Sequence, residues 1–161
     1  MRRIVLCIVL MVAPLLAQPK VDPLQFKKEA EGLEAAINSI ATSLNASQIR
    51  PRARSTYLEG YGAVFMIEIP LEPQANPFAT PPTAAGLQQN VARLQQEIRE
   101  KVVDLLKKRF SEVKSVGEGG AISVAVNLLV YNANLVPNLP GQLLFTAKKY
   151  GPDVQVTVTP F

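Results

Sequence analysis

The chain has 161 residues, with 17 Lys and Arg against 13 Asp and Glu, no His, no Trp and a single Cys. A balance this close to neutral gives no electrostatic footprint for nucleic acid, and with Cys7 alone and no His, neither a Ser-His-Asp nor a Cys-His catalytic arrangement nor a His/Cys metal centre can be built. An apolar share of 48% is that of a globular protein and argues against global disorder.

Met1-Arg2-Arg3 is a short cationic start, residues 4–16 are almost unbroken apolar sequence, and Ala17 closes the run. About 13 apolar residues fall short of the roughly 20 that span a bilayer, so residues 1–17 read as a secretory signal peptide. Cleavage after Ala17 leaves residues 18–161 as a single α+β domain. Its 15 basic residues face 13 acidic ones, a net +2, and it contains neither Cys nor a transmembrane span. Such a chain is exported, to the periplasm or outside the cell, and must fold there without disulfides.

A first helix is expected from Asp22. Asp22 can cap, Pro23 suits the first turn, Gln25 stands where a capping-box partner would, and Phe26, Ala30, Leu33, Ile37, Ile40 and Leu44 recur at helical spacing. Lys27, Lys28, Glu29, Glu31 and Glu34 fall off that stripe, so one face is solvated. Residues 46–55 read as a loop carrying Arg50, Arg52 and Arg54. Residues 57–71 read as one strand with Ala63, Phe65, Ile67 and Ile69 on one face, and Gly60 and Gly62 suggest a bulge or a close backbone approach at its start. Five prolines then enforce an extended loop over 70–82.

The second helix is expected from 81–83 to about 116, with Leu87, Val91, Leu94, Ile98, Val102, Leu105, Phe110 and Val113 as its stripe and Gly117 as its stop. Pairs four apart on its polar face, such as Asp104 with Lys108, suit a solvated surface. Beyond Gly120 only Lys148, Lys149 and Asp153 are charged, and alternation over 121–131, 143–149 and 154–159 predicts three strands, the last two joined by a tight turn at 150–153. The expected fold is therefore α+β, two helices packed on one face of a four-stranded, mostly antiparallel sheet in the order α-β-α-β-β-β, with a crossover through the long helix able to make one pair parallel.

Few features carry chemistry. Arg50, Arg52 and Arg54 form a cluster without an acid among them, suited to phosphate or to an anionic amphiphile, and Tyr57, Tyr61 and Tyr131 can line a ligand groove. Glu59 and Glu68 point to opposite faces if they share one regular strand, which removes an acid/base dyad, and the Glu97/Glu100 pair has Arg93, Arg99 and Lys101 beside it, as in ordinary salt bridging. Gly117-Glu118-Gly119-Gly120 follows a helix rather than opening one, the wrong polarity for phosphate. Phe161 is out of phase with Val154, Val156 and Val158, unlike the closing strand of a membrane barrel.

The string Ser55-Thr56-Tyr57-Leu58-Glu59-Gly60-Tyr61-Gly62-Ala63-Val64-Phe65, followed by an apolar strand, a Pro-rich loop, a long charged helix and a late Pro140-Gly141-Gln142-Leu143 strand ending in Lys148-Lys149, resembles exported bacterial proteins of uncharacterised activity. The resemblance covers roughly residues 24–150 and rests on the Tyr-Leu-x-Gly-Tyr-Gly segment. It implies export and assigns no catalytic residue.

The expected function is that of a non-enzymatic cell-envelope protein acting as a binding or interaction module without cofactor or metal. Arg50, Arg52, Arg54, Tyr57 and Tyr61 are its candidate ligand-binding residues. Its expected partners are an envelope protein or an anionic amphiphile, with a homodimer through the long helix as a further possibility and nucleic acid excluded. Two alternatives stand beside this reading. One is a periplasmic carrier holding an apolar or anionic amphiphile between helices and sheet with the arginines at its mouth. The other is a hydrolase using only Asp, Glu, Ser or Tyr, which needs two carboxylates within about 10 Å in one cleft.

Overall fold

The computed structural model describes residues 21–44, 52–71, 83–130, 134 and 136–161. The expected signal peptide, Arg50, Tyr131 and most of the Pro-rich loop lie outside the described residues.

Helix α1 spans Pro23–Leu44 and begins as the sequence suggests, with the Asp22 carboxylate accepting the Leu24 N–H at 2.9 Å. Gln25 does not close a capping box; its side-chain amide donates to Glu29 at 2.9 Å instead. Phe26, Ala30, Leu33, Ile37 and Ala41 form the buried stripe. Helix α2 spans Ala84–Arg109, opened by the Thr83 hydroxyl accepting the Gly86 N–H at 3.1 Å. It is shorter than the expected 83–116, because Phe110–Glu112 tightens into a 3-10 turn that the Arg109 and Glu112 side chains brace. Leu106, not Leu105, continues the buried stripe of Leu87, Val91, Leu94, Ile98 and Val102.

Among the described residues the sheet has five strands rather than four. Residues expected to form one strand from 57 onward are split by a turn into β1, Arg54–Leu58, and β2, Gly62–Pro70. The cause is Gly60 and Gly62, at φ of 78° and 130°. They let the chain reverse over Glu59–Tyr61, with the Tyr61 N–H donating to the Leu58 carbonyl at 3.0 Å. The turn also moves Arg54 and Ser55 out of the expected loop and into a strand. Strands β3, Ala121–Leu129, β4, Gln142–Tyr150, and β5, Asp153–Pro160, follow, giving the chain order α-β-β-α-β-β-β.

Spatial order equals chain order, β1-β2-β3-β4-β5. Three pairings are antiparallel, and β2 with β3 is parallel across the connection made by α2, so the sheet is mixed. The β4–β5 hairpin closes through Gly151 at φ 60°, with Tyr150 opposite Asp153.

Both helices cover one face, α1 over β1 and β2 and α2 over β4 and β5. The layers meet in a core where Phe65, Ile67, Ile122, Val124, Val126, Leu143 and Phe145 meet Leu33, Ile37, Ile98 and Leu106, all buried. At about 25 cal/mol per Å² of apolar surface removed from water, this layer interface is the main favourable term holding the fold. It buries the apolar stripe of α2. No helix among the described residues is long and apolar enough to cross a membrane.

Candidate functional site

Among the described residues strand β1 is an edge, paired with β2 alone, and α1 lies over it. Two contacts hold the pair together across the chain. The Ser55 hydroxyl donates to the Glu34 carboxylate at 2.6 Å, and the Ala53 N–H donates to the Asn38 side-chain carbonyl at 2.6 Å. The second bond satisfies a backbone donor at the entry to β1 that has no sheet partner there. Further along the edge, Phe26 and Tyr57 meet edge to face, with ring centroids 5.5 Å apart and planes at 64°.

Between α1 and the outer side of β1 runs a half-open groove of about 580 Å³. Val21, Phe26 and Tyr57 give it an apolar floor, and Glu31, Glu34, Glu59 and Lys27 supply its charge. Glu31, Lys27 and Glu59 are exposed, whereas Glu34 is half-buried under its bond to Ser55.

A second hollow, of about 610 Å³, lies at the end of the molecule where the start of α1, the β1–β2 turn and the connector into β3 converge. Tyr57, Tyr61, Lys114 and the glycines of both turns line it. Beside it the Glu29 carboxylate accepts the Ser115 N–H at 2.7 Å. Burial opposes the charged form of Glu29, but the hydrogen bonds from Gln25 and Ser115 and the charge of Lys114 outweigh it and hold the carboxyl below its ordinary value. Arg109 donates from Nη1 to the Gly32 carbonyl at 3.0 Å, tying the end of α2 to α1, and its hydrogen bond with Glu112 raises its already high pKa.

The expected site residues therefore separate. Tyr57 and Tyr61 share the second hollow, and Tyr57 also lines the α1–β1 groove. Arg52 and Arg54 are exposed at the opposite end of β1, around a shallow depression of about 530 Å³ with Glu34 and Asn38. The structure does not bring Arg52 and Arg54 onto the tyrosines. The residues the sequence reading left out of its site are Phe26, Glu31, Glu34 and Glu59. Glu31 and Glu34 were visible as polar positions three apart on α1, but their place beside a strand edge follows only once the Glu59–Tyr61 turn makes β1 an edge.

The other sheet face carries no helix among the described residues. In its centre the Tyr61 hydroxyl lies 2.6 Å from the Ser123 hydroxyl, which in turn is 3.1 Å from that of Thr146, and Ser123 is only 1% exposed. Met66, on the same face, is 52% exposed. Glu68 is exposed there while Glu59 sits in the β1–β2 turn, so these two acids occupy different surfaces rather than one strand. Along α2, Glu97 pairs with Arg93 at 2.5 Å, Asp104 with Lys108 at 2.8 Å, and Glu100 accepts from Gln96 at 2.7 Å. Lys101 reaches across to the Ser43 hydroxyl of α1 at 3.2 Å. No group of three or more metal-ligating side chains exists among the described residues.

In comparisons with protein-family models, with curated proteins and with solved structures, nothing matches this chain.

Proposed function

We propose that the chain is an exported, non-enzymatic binding module of the cell envelope whose binding surface is the groove between α1 and β1. Its carrying observation is the groove itself, where half-buried Tyr57 packs edge to face on buried Phe26 beside an edge strand. Apolar floor with a few placed charges is the usual make-up of a recognition site, and an edge strand offers backbone groups that a partner can use. The leader-like residues 1–17 support export. The carrier reading places its amphiphile between helices and sheet, a region filled here by Leu33, Ile98, Phe65 and Phe145. The module reading needs no such space.

The test is site-specific photo-cross-linking in the producing cells, with the reactive side chain at exposed Thr56 on β1 and, as control, at exposed Lys107 on α2. An adduct to an envelope protein from position 56 and none from 107 is the expected outcome. Equal labelling from both positions, or none from 56, overturns the reading. A lipid-sized adduct from 56 turns it towards the carrier.

A further inference from the structure

We infer that the α1–β1 groove binds an extended, cationic polypeptide segment, which adds to β1 as a sixth strand. This rests on the groove being the binding surface, and it names the partner. Along an edge strand, alternate N–H and C=O groups point away from the sheet and satisfy a peptide laid alongside. Strand β1 presents about five residues for this, roughly 16 Å at ~3.3 Å each.

The charge of the groove selects the peptide. Glu31, Glu34 and Glu59 face Lys27, a net −2 on the side where α1 overhangs the strand, while the exposed Arg54 of β1 pairs with Met66 in register and so stands on the opposite, open face. Side chains of an added strand alternate between the α1 side and the open face. Basic residues two apart would therefore project towards Glu31, Glu34 and Glu59, while their aliphatic stems cover half-buried Tyr57. An acidic peptide would meet like charge, which is the repulsive half of specificity.

The same charges disfavour a second copy on this edge. Two β1 strands paired antiparallel about a two-fold axis put the two α1 helices side by side, so the Glu31 and Glu34 carboxylates of one meet those of the other. Edge charges of this kind keep a chain from pairing with itself while leaving the edge open to a partner of opposite sign.

The experiment uses the exported protein recovered from the producing cells and titrates it with an end-blocked eight-residue peptide alternating Lys and Val. Its Glu-Val counterpart and the Lys-Val peptide N-methylated throughout are run beside it, with binding read by calorimetry and by amide chemical shifts. Binding of the Lys-Val peptide alone is expected, with shifts concentrated on Arg54–Leu58, and weakening of at least about tenfold in the Glu31→Lys/Glu59→Lys variant. Lys27→Glu should tighten binding, so the assignment remains testable if the double variant folds poorly. Equal binding of the N-methylated peptide, indifference to the Glu substitutions, or a dimer joined through β1 each overturns it. Envelope-protein adducts from position 56 without any peptide binding would overturn the cationic-strand assignment and leave the groove reading standing; loss of both removes the groove as well.

Discussion

The Tyr61 hydroxyl lies 2.6 Å from the Ser123 hydroxyl, joining the β1–β2 turn to the central strand across 62 positions of sequence on the sheet face opposite α1 and α2. Ser123 is almost fully buried there, so its hydroxyl needs the partners it has, Tyr61 on one side and Thr146 on the other. Tyr61→Phe keeps the ring and removes one bond, leaving Thr146 to satisfy Ser123. The expected loss is about 1 kcal/mol in urea unfolding. The double variant Tyr61→Phe/Ser123→Ala should cost less than the sum of the two single changes, and simple additivity would show that the hydroxyls are not coupled.

The two glycines of the first turn should respond very differently to a methyl group. Gly60, at φ 78°, has open space around the position of a Cβ, so Gly60→Ala is expected to cost about 1 kcal/mol from backbone conformation alone. At Gly62, φ is 130° and an added Cβ would stand 2.1 Å from the Ala121 carbonyl oxygen, inside the parallel β2–β3 pairing. Gly62→Ala should destabilise by more than about 3 kcal/mol or prevent folding. Thermal unfolding of the two variants side by side decides it, and similar melting temperatures would refute the difference.

These same glycines mark the limit of what the sequence disclosed. The stripes Phe26-Ala30-Leu33-Ile37 and Leu87-Val91-Leu94-Ile98-Val102 were legible because helical periodicity needs only local spacing. So was the hairpin at Gly151-Pro152, where two turn residues sit between alternating runs. The Glu59–Tyr61 turn was not, because the apolar run Ala63–Ile67 after Gly62 reads as one strand continuing from Tyr57, and a glycine pair is compatible with a bulge as well as a reversal. That single ambiguity hid a strand, a sheet edge and the groove beside it. The contacts that build the groove, Glu34 with Ser55 and Asn38 with Ala53, join residues whose neighbourhood depends on topology rather than on pattern.

Phe145 lies in the middle of the core on β4, opposite Val124 on one neighbour and Val158 on the other, with no exposure to solvent. Removing its ring leaves a cavity bounded by two strands and α2, elements that cannot close over it without breaking sheet pairing. Phe145→Ala is expected to cost about 3–5 kcal/mol, a large part of the stability of a domain this size. The edge-strand change Val156→Ala, at a half-buried position, should cost about 1 kcal/mol. Equal denaturation midpoints for the two would contradict a core centred on β3 and β4.

Glu29 links stability to pH. Its carboxylate accepts the Ser115 N–H, 86 residues away, and the Gln25 amide, and its folded pKa is lowered from the ordinary 4.5. A carboxyl whose pKa is depressed by folding stabilises the native state wherever it is ionised in both states, so the contribution is complete above 4.5 and drains away as pH falls through the lower folded value. Glu29→Gln cannot ionise and keeps one acceptor oxygen. Near neutral pH it should be less stable than the wild type by about 1 kcal/mol. As pH is taken below 4 in urea titrations, the wild type should lose that advantage and the two curves should converge. A gap that stays constant from neutral to acid pH would mean that the ionised carboxylate contributes nothing beyond the hydrogen bond the amide can also accept.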